Sequence, residues 1–468
     1  MNNVSMILGA PGCGKTTRLM EILEKELKQT EPNEIAFVSF TRKGTYEGAD
    51  RAKDKFNYKD ADIPYFRTLH SLAFRAGGFS KYDIISKKDY KIFSDAMGMK
   101  FTGYYTEEFF NNDDKYLFMY FLARNNPVMA EAYMYDINVT LLQDVQSNFI
   151  RYKEHAHVYD FSDIIERFII TNNALPVKVA IIDEAQDLTS LQWEMCKVAF
   201  KDCRKVYIAG DDDQAIYEWS GADVAQFLHI DIVEREILHQ SYRLQKKILD
   251  LSKRISAMIK NRADKVFDPI SDEGQVYFYN SINEIKINDK QTYYFLSRNN
   301  WFLSFYRDWL KQQGRVYIDK HELSYNPRHI EVINIIERAR KRNKITETDE
   351  IRVKLFLKDK FNIDKSWFEQ MNLDNDTVAY YKDLIRWKSD LKSRSLTVNT
   401  IHGVKGGEAD NVVLMLDFTR SVQNNMEHNP DSELRCLYVA CTRAKKNLHI
   451  VYSRSKNGYD KYINFNGG

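Results

Sequence analysis

The sequence predicts an α/β fold with parallel sheets in two groups, each interrupted by a helical insertion. Three observations carry this. Short apolar runs recur along the chain, and a loop and a helical pattern follow each. Runs of this length bounded by turn residues read as buried parallel strands. The runs fall into two sets, one before about residue 245 and one after about 270.

In order, the predicted strands are VSMIL (4–8), IAFVSF (35–40), VKVAIIDE (177–184) and KVYIAG (205–210) in the first set. VYFYN (276–280), TYYFLSR (292–298), LTVNTI (396–401), VVLML (412–416) and LHIVY (448–452) form the second. Between the sets, KKILDLSKRISAMIK (246–260) has helical apolar spacing. Residues 78–150 and 321–392 break the strand pattern with charged, aromatic segments of helical period, such as FFNNDDKYLFMYFLARN and HIEVINIIERARKRN. The expected organisation is therefore a first domain of 1–77 and 151–245 carrying insertion 78–150, and a second of 246–320 and 393–468 carrying insertion 321–392.

A hydrophobic content of 44% supports packed cores and excludes a disordered chain. The net charge of +2 does not mark a polyanion binder, although a local groove can still be basic. The five cysteines (13, 196, 203, 436 and 441) are odd in number and lack CxxC spacing, so neither a disulfide framework nor a zinc site is expected. No apolar stretch approaches a membrane span and the N-terminus lacks signal-peptide character. The expectation is a cytoplasmic protein, bacterial or acting in a host cell if phage-encoded, with no membrane association.

Two motifs point to nucleotide chemistry. GAPGCGKT (9–16) fits GxxxxGK[ST] between a predicted strand and a predicted helix. The loop Gly9, Ala10, Pro11, Gly12, Cys13, Gly14 and the residues after it form a phosphate cradle from their backbone N–H groups, Pro11, which has none, only shaping the turn. In such a loop Lys15 reaches the β- and γ-phosphates and Thr16 ligates Mg²⁺, with Thr17 next on the helix. AIIDEAQD (180–187) ends an apolar strand in adjacent acids: Asp183 for the metal, Glu184 to orient the attacking water. ATP and Mg²⁺ are the expected cofactors.

A third stretch, VYIAGDDDQAIYEWSGA (206–222), sets acids, an amide and large aromatics in one loop. With its neighbours it resembles the superfamily 1 DNA helicases of the UvrD/Rep/PcrA-like branch. The resemblance is an ordered series: GAPGCGKT, FTRKGTYEGA (40–49), RTLHSLAFR (67–75), YDFSDII (159–165), DEAQD (183–187), GDDDQAIYEWSGA (210–222), LHQSYR (238–243), FLSRNN (295–300), VNTIHGVKGGEADNVVLM (398–415) and LRCLYVACTRAKKNLHIVY (434–452).

This resemblance implies two RecA-like parallel-sheet P-loop domains facing each other across an ATP cleft. Gln214 would contact the γ-phosphate and attacking water, while Trp219 and Tyr217 stack on bases of a single strand. Arg243 and Arg443 match arginines that reach the γ-phosphate, the latter from the second domain on closure. Tyr242 matches the adenine-stacking tyrosine and Glu408 the ribose contact. Phe40, Thr41, His70, Arg298 and His402 match positions along the DNA path, or between it and the nucleotide. Asn-Gly at 457–458 signals a hairpin, and Tyr459 is the candidate aromatic at the duplex junction.

The implied activity is ATP-dependent 3′–5′ translocation on single-stranded DNA with unwinding of duplex DNA. Its partners would be single strands, single-strand/duplex junctions and a replication, repair or nuclease protein, acting on a monomer. The alternative is a single-strand translocase or DNA-dependent ATPase that removes proteins or drives a nuclease or defence complex. A metabolic P-loop kinase would need a lid and acceptor pocket in place of 210–222 and 398–415.

The chain also departs from the family. Ser220 replaces an arginine, Thr17 stands where close relatives carry arginine, and Gly407 and Ala409 replace Leu and Phe. The family's upstream glutamine motif has no counterpart in the eight residues before Gly9, which leaves base selectivity open. Both insertions are short.

Overall fold

The computed structural model describes residues 1, 3–39, 42–105, 111–134 and 137–465. Phe40 and Thr41 lie outside the described residues. The chain forms two compact units, 1–273 with 425–442, and 274–424 with 443–468.

The first unit is built on five parallel strands: β1 (Val4–Gly9), β2 (Ile35–Ser39), β3 (Val179–Asp183), β4 (Lys205–Gly210) and β5 (Glu234–Leu238). Their order is β2-β3-β4-β1-β5, so β1 pairs with strands two hundred residues downstream. Successive residues of a strand face opposite ways. Accordingly Val4, Met6, Leu8, Ala180 and Ile182 enter one core, and Ile7, Phe37, Val179 and Ile181 the other. Both faces are covered, which explains strands that read as continuous apolar runs.

The insertion after residue 78 is helical, with helices Lys87–Met97, Asp114–Asn125 and Val139–Ala156 around Phe93, Leu117, Phe118 and Phe149. Its foot is an ion-pair cluster. Arg124 meets Asp160, Asp163 and Glu166 at 3.0, 2.7 and 2.5 Å, and Lys153 meets Asp160 and Asp163.

The second unit carries β6 (Gln275–Tyr279), β7 (Tyr293–Ser297), β8 (Ile318–Asp319), β9 (Glu322–Leu323), β10 (Leu396–Thr400), β11 (Ala409–Met415) and β12 (Ala444–Val451). The order is β6-β12-β11-β7-β10-β8-β9, parallel throughout except for the β8/β9 pair. Its insertion has its own core of Ile333, Ile336, Trp367, Tyr381 and Leu384.

All nine predicted strands are present; β5, β8 and β9 are additional. The division along the chain differs from the expected one. Residues 246–273 and 425–442 pack with the first unit, because their cations pair with acids of that unit, as described below. All five cysteines are buried and free. Among the described residues, no helix is long and apolar enough to cross a membrane.

Candidate nucleotide and nucleic-acid site

β1 ends at Gly9, and helix Lys15–Glu26 begins after a tight loop. Gly12 and Gly14 have φ of +73° and +83°, a region that side chains rarely adopt. A Cβ on Gly12 would also lie 2.4 Å from the Cβ of Arg243. That bare backbone lets the QSYR segment lie against the loop. Ser241 Oγ donates to Pro11 O (2.9 Å), and Tyr242 N donates to Gly12 O (2.8 Å). The Tyr242 ring stays exposed, and Arg243 is half-buried beside it.

Free amides at a helix start, with the helix dipole behind them, favour an anion. Lys15 Nζ folds back onto Gly9 O (2.9 Å) and Ala10 O (3.4 Å). Burial opposes its charge, but Cys13, Glu184, Asp211 and Asp183 outweigh this and hold its pKa above the usual value.

Thr16 Oγ1 donates to Asp183 Oδ2 at 3.1 Å. Burial and the neighbouring Glu184 push the Asp183 carboxyl up to about 7, against the pull of Lys15 and the Thr16 hydroxyl. A half-buried hydroxyl and a buried carboxyl side by side are hard oxygen donors of the kind magnesium takes alongside phosphate oxygens and water. These two residues fit that ion. Glu184 has φ +53° and ψ +40°, an uncommon backbone for a non-glycine residue.

Gln186, which sequence reasoning passed over, is fully buried and ties this acid pair to the next strand. Its Nε2 donates to Glu184 Oε2 (2.6 Å), and its Oε1 accepts the N–H of Asp211 (3.1 Å). Its signal was present in DEAQD, where only the acids were read. Gln214 Nε2 in turn donates to Asp211 Oδ2 (2.7 Å).

The three aspartates of GDDDQ are fully buried and meet cations. Lys265 Nζ lies 2.7, 2.5 and 3.1 Å from Asp211, Asp212 and Asp213. Arg262 forks onto Asp213 (2.9 and 2.7 Å). Arg435 donates to Asp212 O (2.9 Å), to Glu218 (3.2 Å) and to Asn261 O (2.6 Å). Burial pushes Asp211 up, but Lys265 and Lys15 bring it below the usual carboxylate range. These acids therefore shape the loop.

The aromatics of the loop are half-buried. Trp219 stacks with Phe118 of the insertion, centroids 6.5 Å apart and planes at 19°. Burial, then Asp187 and Glu184, raise the Tyr217 hydroxyl pKa. His70 meets Phe161 edge-on at 5.5 Å. It lines a cleft of about 460 Å³ with Tyr104, Tyr105, Phe161 and Ser220.

In the second unit the candidate residues lie at opposite sheet edges. Arg298 follows β7 and His402 follows β10 at the carboxyl edge; Glu408 precedes β11 and Arg443 precedes β12 at the amino edge. Arg443 is buried and donates to Gly407 O (3.2 Å), while Ala409 N donates to Arg443 O (3.1 Å). Glu408 pairs with Lys445 at 3.4 Å. Lys15, Thr16, Asp183, Glu184, Gln214, Tyr242 and Arg243 thus belong to the first unit, and Glu408 and Arg443 to the second.

Tyr459 corrects the sequence reading. It is completely buried, edge-on against Phe418 at 5.0 Å, with its N–H bonded to Leu416 O. Among the described residues, the Asn-Gly turn does not join two strands. β12 ends at Val451, and Asp417 accepts the N–H groups of Arg454 (3.1 Å) and Ser455 (2.8 Å), curling the segment back. An aromatic facing this core cannot serve as an exposed wedge.

A parallel sheet whose first strand runs into a phosphate cradle, with a strand-end carboxylate on the helix-start threonine, defines a P-loop nucleotide-binding protein. Comparison with known families narrows this. The UvrD/REP helicase N-terminal domain matches residues 1–232, and the UvrD-like helicase C-terminal domain matches 308–455. The chain belongs to the UvrD-like helicase family, and its two parallel-sheet units are of the RecA-like type. It is similar to the ATP-dependent DNA helicase PcrA of Staphylococcus aureus, 24% identical over 315 residues, covering 60% of this chain and 41% of that one. It is also similar to the ATP-dependent DNA helicase Rep of Buchnera aphidicola, 23% identical over 280 residues, 54% of this chain and 42% of that one. The chain spans less than half the length of these curated relatives. An arterivirus nonstructural protein 10 (helicase) structure aligns at a TM-score of 0.37 and 12% identity, covering 96% of this chain and 59% of that chain.

Proposed function

We propose that the chain is an ATP-dependent DNA helicase that translocates 3′–5′ on single-stranded DNA and unwinds duplex DNA. The observation that carries this is the Gln186 bridge. It joins the acid pair over the phosphate cradle to the loop that holds Gln214, Tyr217 and Trp219. A change at the γ-phosphate has a short polar route to Gln214, in the loop that also carries the aromatics.

Lys15 and Arg243 would neutralise phosphate charge, Glu184 would orient the attacking water and Tyr242 would cover the base. Thr16 and Asp183 would hold a magnesium ion, which supplies charge neutralisation at the phosphates. Glu408 and Arg443 would contribute from the second unit. His70, Tyr217, Trp219, Arg298 and His402 would contact the strand, the aromatics by stacking that tolerates any sequence. Residues 78–150 and 321–392 would be helical insertions on the two domains, and the chain would act as a cytoplasmic monomer with a replication, repair or nuclease partner.

Buried Tyr459 favours a second reading, a single-strand translocase that displaces proteins without separating strands well. Short duplexes with a 3′ tail, a 5′ tail or none separate the two. Unwinding of the 3′-tailed substrate alone supports the helicase. Strand-stimulated hydrolysis without unwinding supports the translocase. Hydrolysis that single strands do not stimulate overturns both.

A further inference from the structure

The parallel order β12-β11-β7-β10-β8 sets five carboxyl-end loops side by side along one edge of the second sheet. Each loop carries a cation. In order across the edge these are Arg454 and Lys456, then Arg420, then Arg298, then Lys405, then Lys320. Arg454, Lys456, Arg420 and Lys320 are exposed.

The loops are pinned to one another. Ile401 N donates to Ser297 O (3.1 Å), Thr419 N to Asn299 Oδ1 (3.0 Å), and Asp417 holds the amides of Arg454 and Ser455. The acids nearby are mostly engaged. Asp417 is buried, Asp319 is paired with Arg307 (2.6 Å), and Asp460 lies 3.3 Å from Lys461; Glu322 is exposed. The row presents positive charge to a polyanion.

In the middle of the row stands Trp301, 72% exposed. Tryptophan is rarely left this open without a partner to cover it. Its backbone is fixed by the turn Asn300–Phe302 and by Ser304 Oγ donating to its carbonyl (2.8 Å). Phe305, four residues on and half exposed, stacks with Phe302 at 6.3 Å, which extends the aromatic surface along helix Leu303–Gln312.

We propose that Trp301 is a base-stacking residue for single-stranded nucleic acid, set in a phosphate-binding row formed by Arg420, Arg454 and Lys456. This rests on the proposed function and adds to it a contact that the family motifs do not assign. A flat indole among spaced cations suits a strand whose phosphates and bases alternate.

The test is binding of a fluorescein-labelled oligothymidylate, followed by anisotropy, to the full chain and to Trp301→Ala, Trp301→Phe, Arg420→Gln and Trp387→Phe. Trp387 is a second exposed tryptophan and serves as control. Loss of one stacking partner predicts roughly tenfold weaker binding by Trp301→Ala. Trp301→Phe should restore most of it, Arg420→Gln should flatten the salt dependence, and Trp387→Phe should match the unaltered chain. A thermal unfolding midpoint for Trp301→Ala equal to that of the unaltered chain excludes a packing role. Equal binding by the unaltered chain and Trp301→Ala overturns the inference alone. Failure of the unaltered chain to bind the oligonucleotide overturns the proposed function and this inference with it.

Discussion

Lys265 places its ammonium 2.7 Å from the carboxylate of Asp211, and neither side chain is exposed to solvent. A charge so placed is tolerable only when paired, and Lys265 faces three carboxylates at once. The pairing fixes the loop after β4 to the segment following helix Lys246–Ser256. Removing one partner leaves buried charges unanswered. Lys265→Met should therefore lower stability by about 3–5 kcal/mol. Urea denaturation followed by fluorescence reads this, and a variant as stable as the unaltered chain would contradict a charge-paired loop.

The Thr16–Asp183 hydrogen bond does not involve the Glu184 side chain. Glu184→Gln should keep nucleotide binding within a fewfold and lower the hydrolysis rate by about 10²–10⁴, the usual contribution of a positioned base. Binding of a fluorescent ATP analogue and steady-state phosphate release separate the two effects. Parallel losses in both would assign Glu184 to binding.

His449 stacks against the rings of Tyr277 and Tyr279, with centroids at 5.2 and 5.7 Å, and its Nδ1 is 3.1 Å from the Tyr279 hydroxyl. Burial pushes its pKa down to about 4 from 6.5. The unfolded chain then takes up the proton first. Stability from this site is full above about pH 6.5 and is lost as pH falls toward 4, by on the order of 3 kcal/mol. Denaturation midpoints near neutral pH and near pH 5 should differ more for the unaltered chain than for His449→Gln. Identical pH slopes would remove His449 as the cause.

Tyr459 packs into the core beside Phe418, while Tyr462 remains more than a third exposed. Tyr459→Ala should cost about 3–5 kcal/mol of stability, as large aromatic truncations in cores do. Tyr462→Ala should change it by well under half as much. Loss of unwinding by Tyr459→Ala with an unchanged melting midpoint would restore the residue to a role at the junction.

The parts of this structure that could be read in advance are those set by local pattern. Apolar runs marked nine strands, and GAPGCGKT and AIIDEAQD marked a cradle and an acid pair that Thr16 and Asp183 join. The edge strand β5 (EREIL) escaped because its exposed position leaves it charged. Pairings across long separations left no local trace. Three consecutive aspartates imply nearby cations, but nothing in the sequence says that these are Arg262, Lys265 and Arg435. Tyr459 misled for the same reason: an Asn-Gly dipeptide signals a turn, whereas the direction of the next ring depends on Leu416 and Phe418, forty residues earlier.

The return of residues 425–442 to the first unit sets an order on synthesis. β1 precedes its partners β4 and β5 by some two hundred residues. Ser241 and Tyr242, which brace the phosphate loop, follow them. Arg435, which closes the loop of acids, follows almost the whole second unit. The first unit therefore waits, incomplete, while most of the second is made. A chain cut after residue 424 would release a nucleotide site whose aspartate loop had lost a buried guanidinium, so the two units are separable as compact bodies but not as genes.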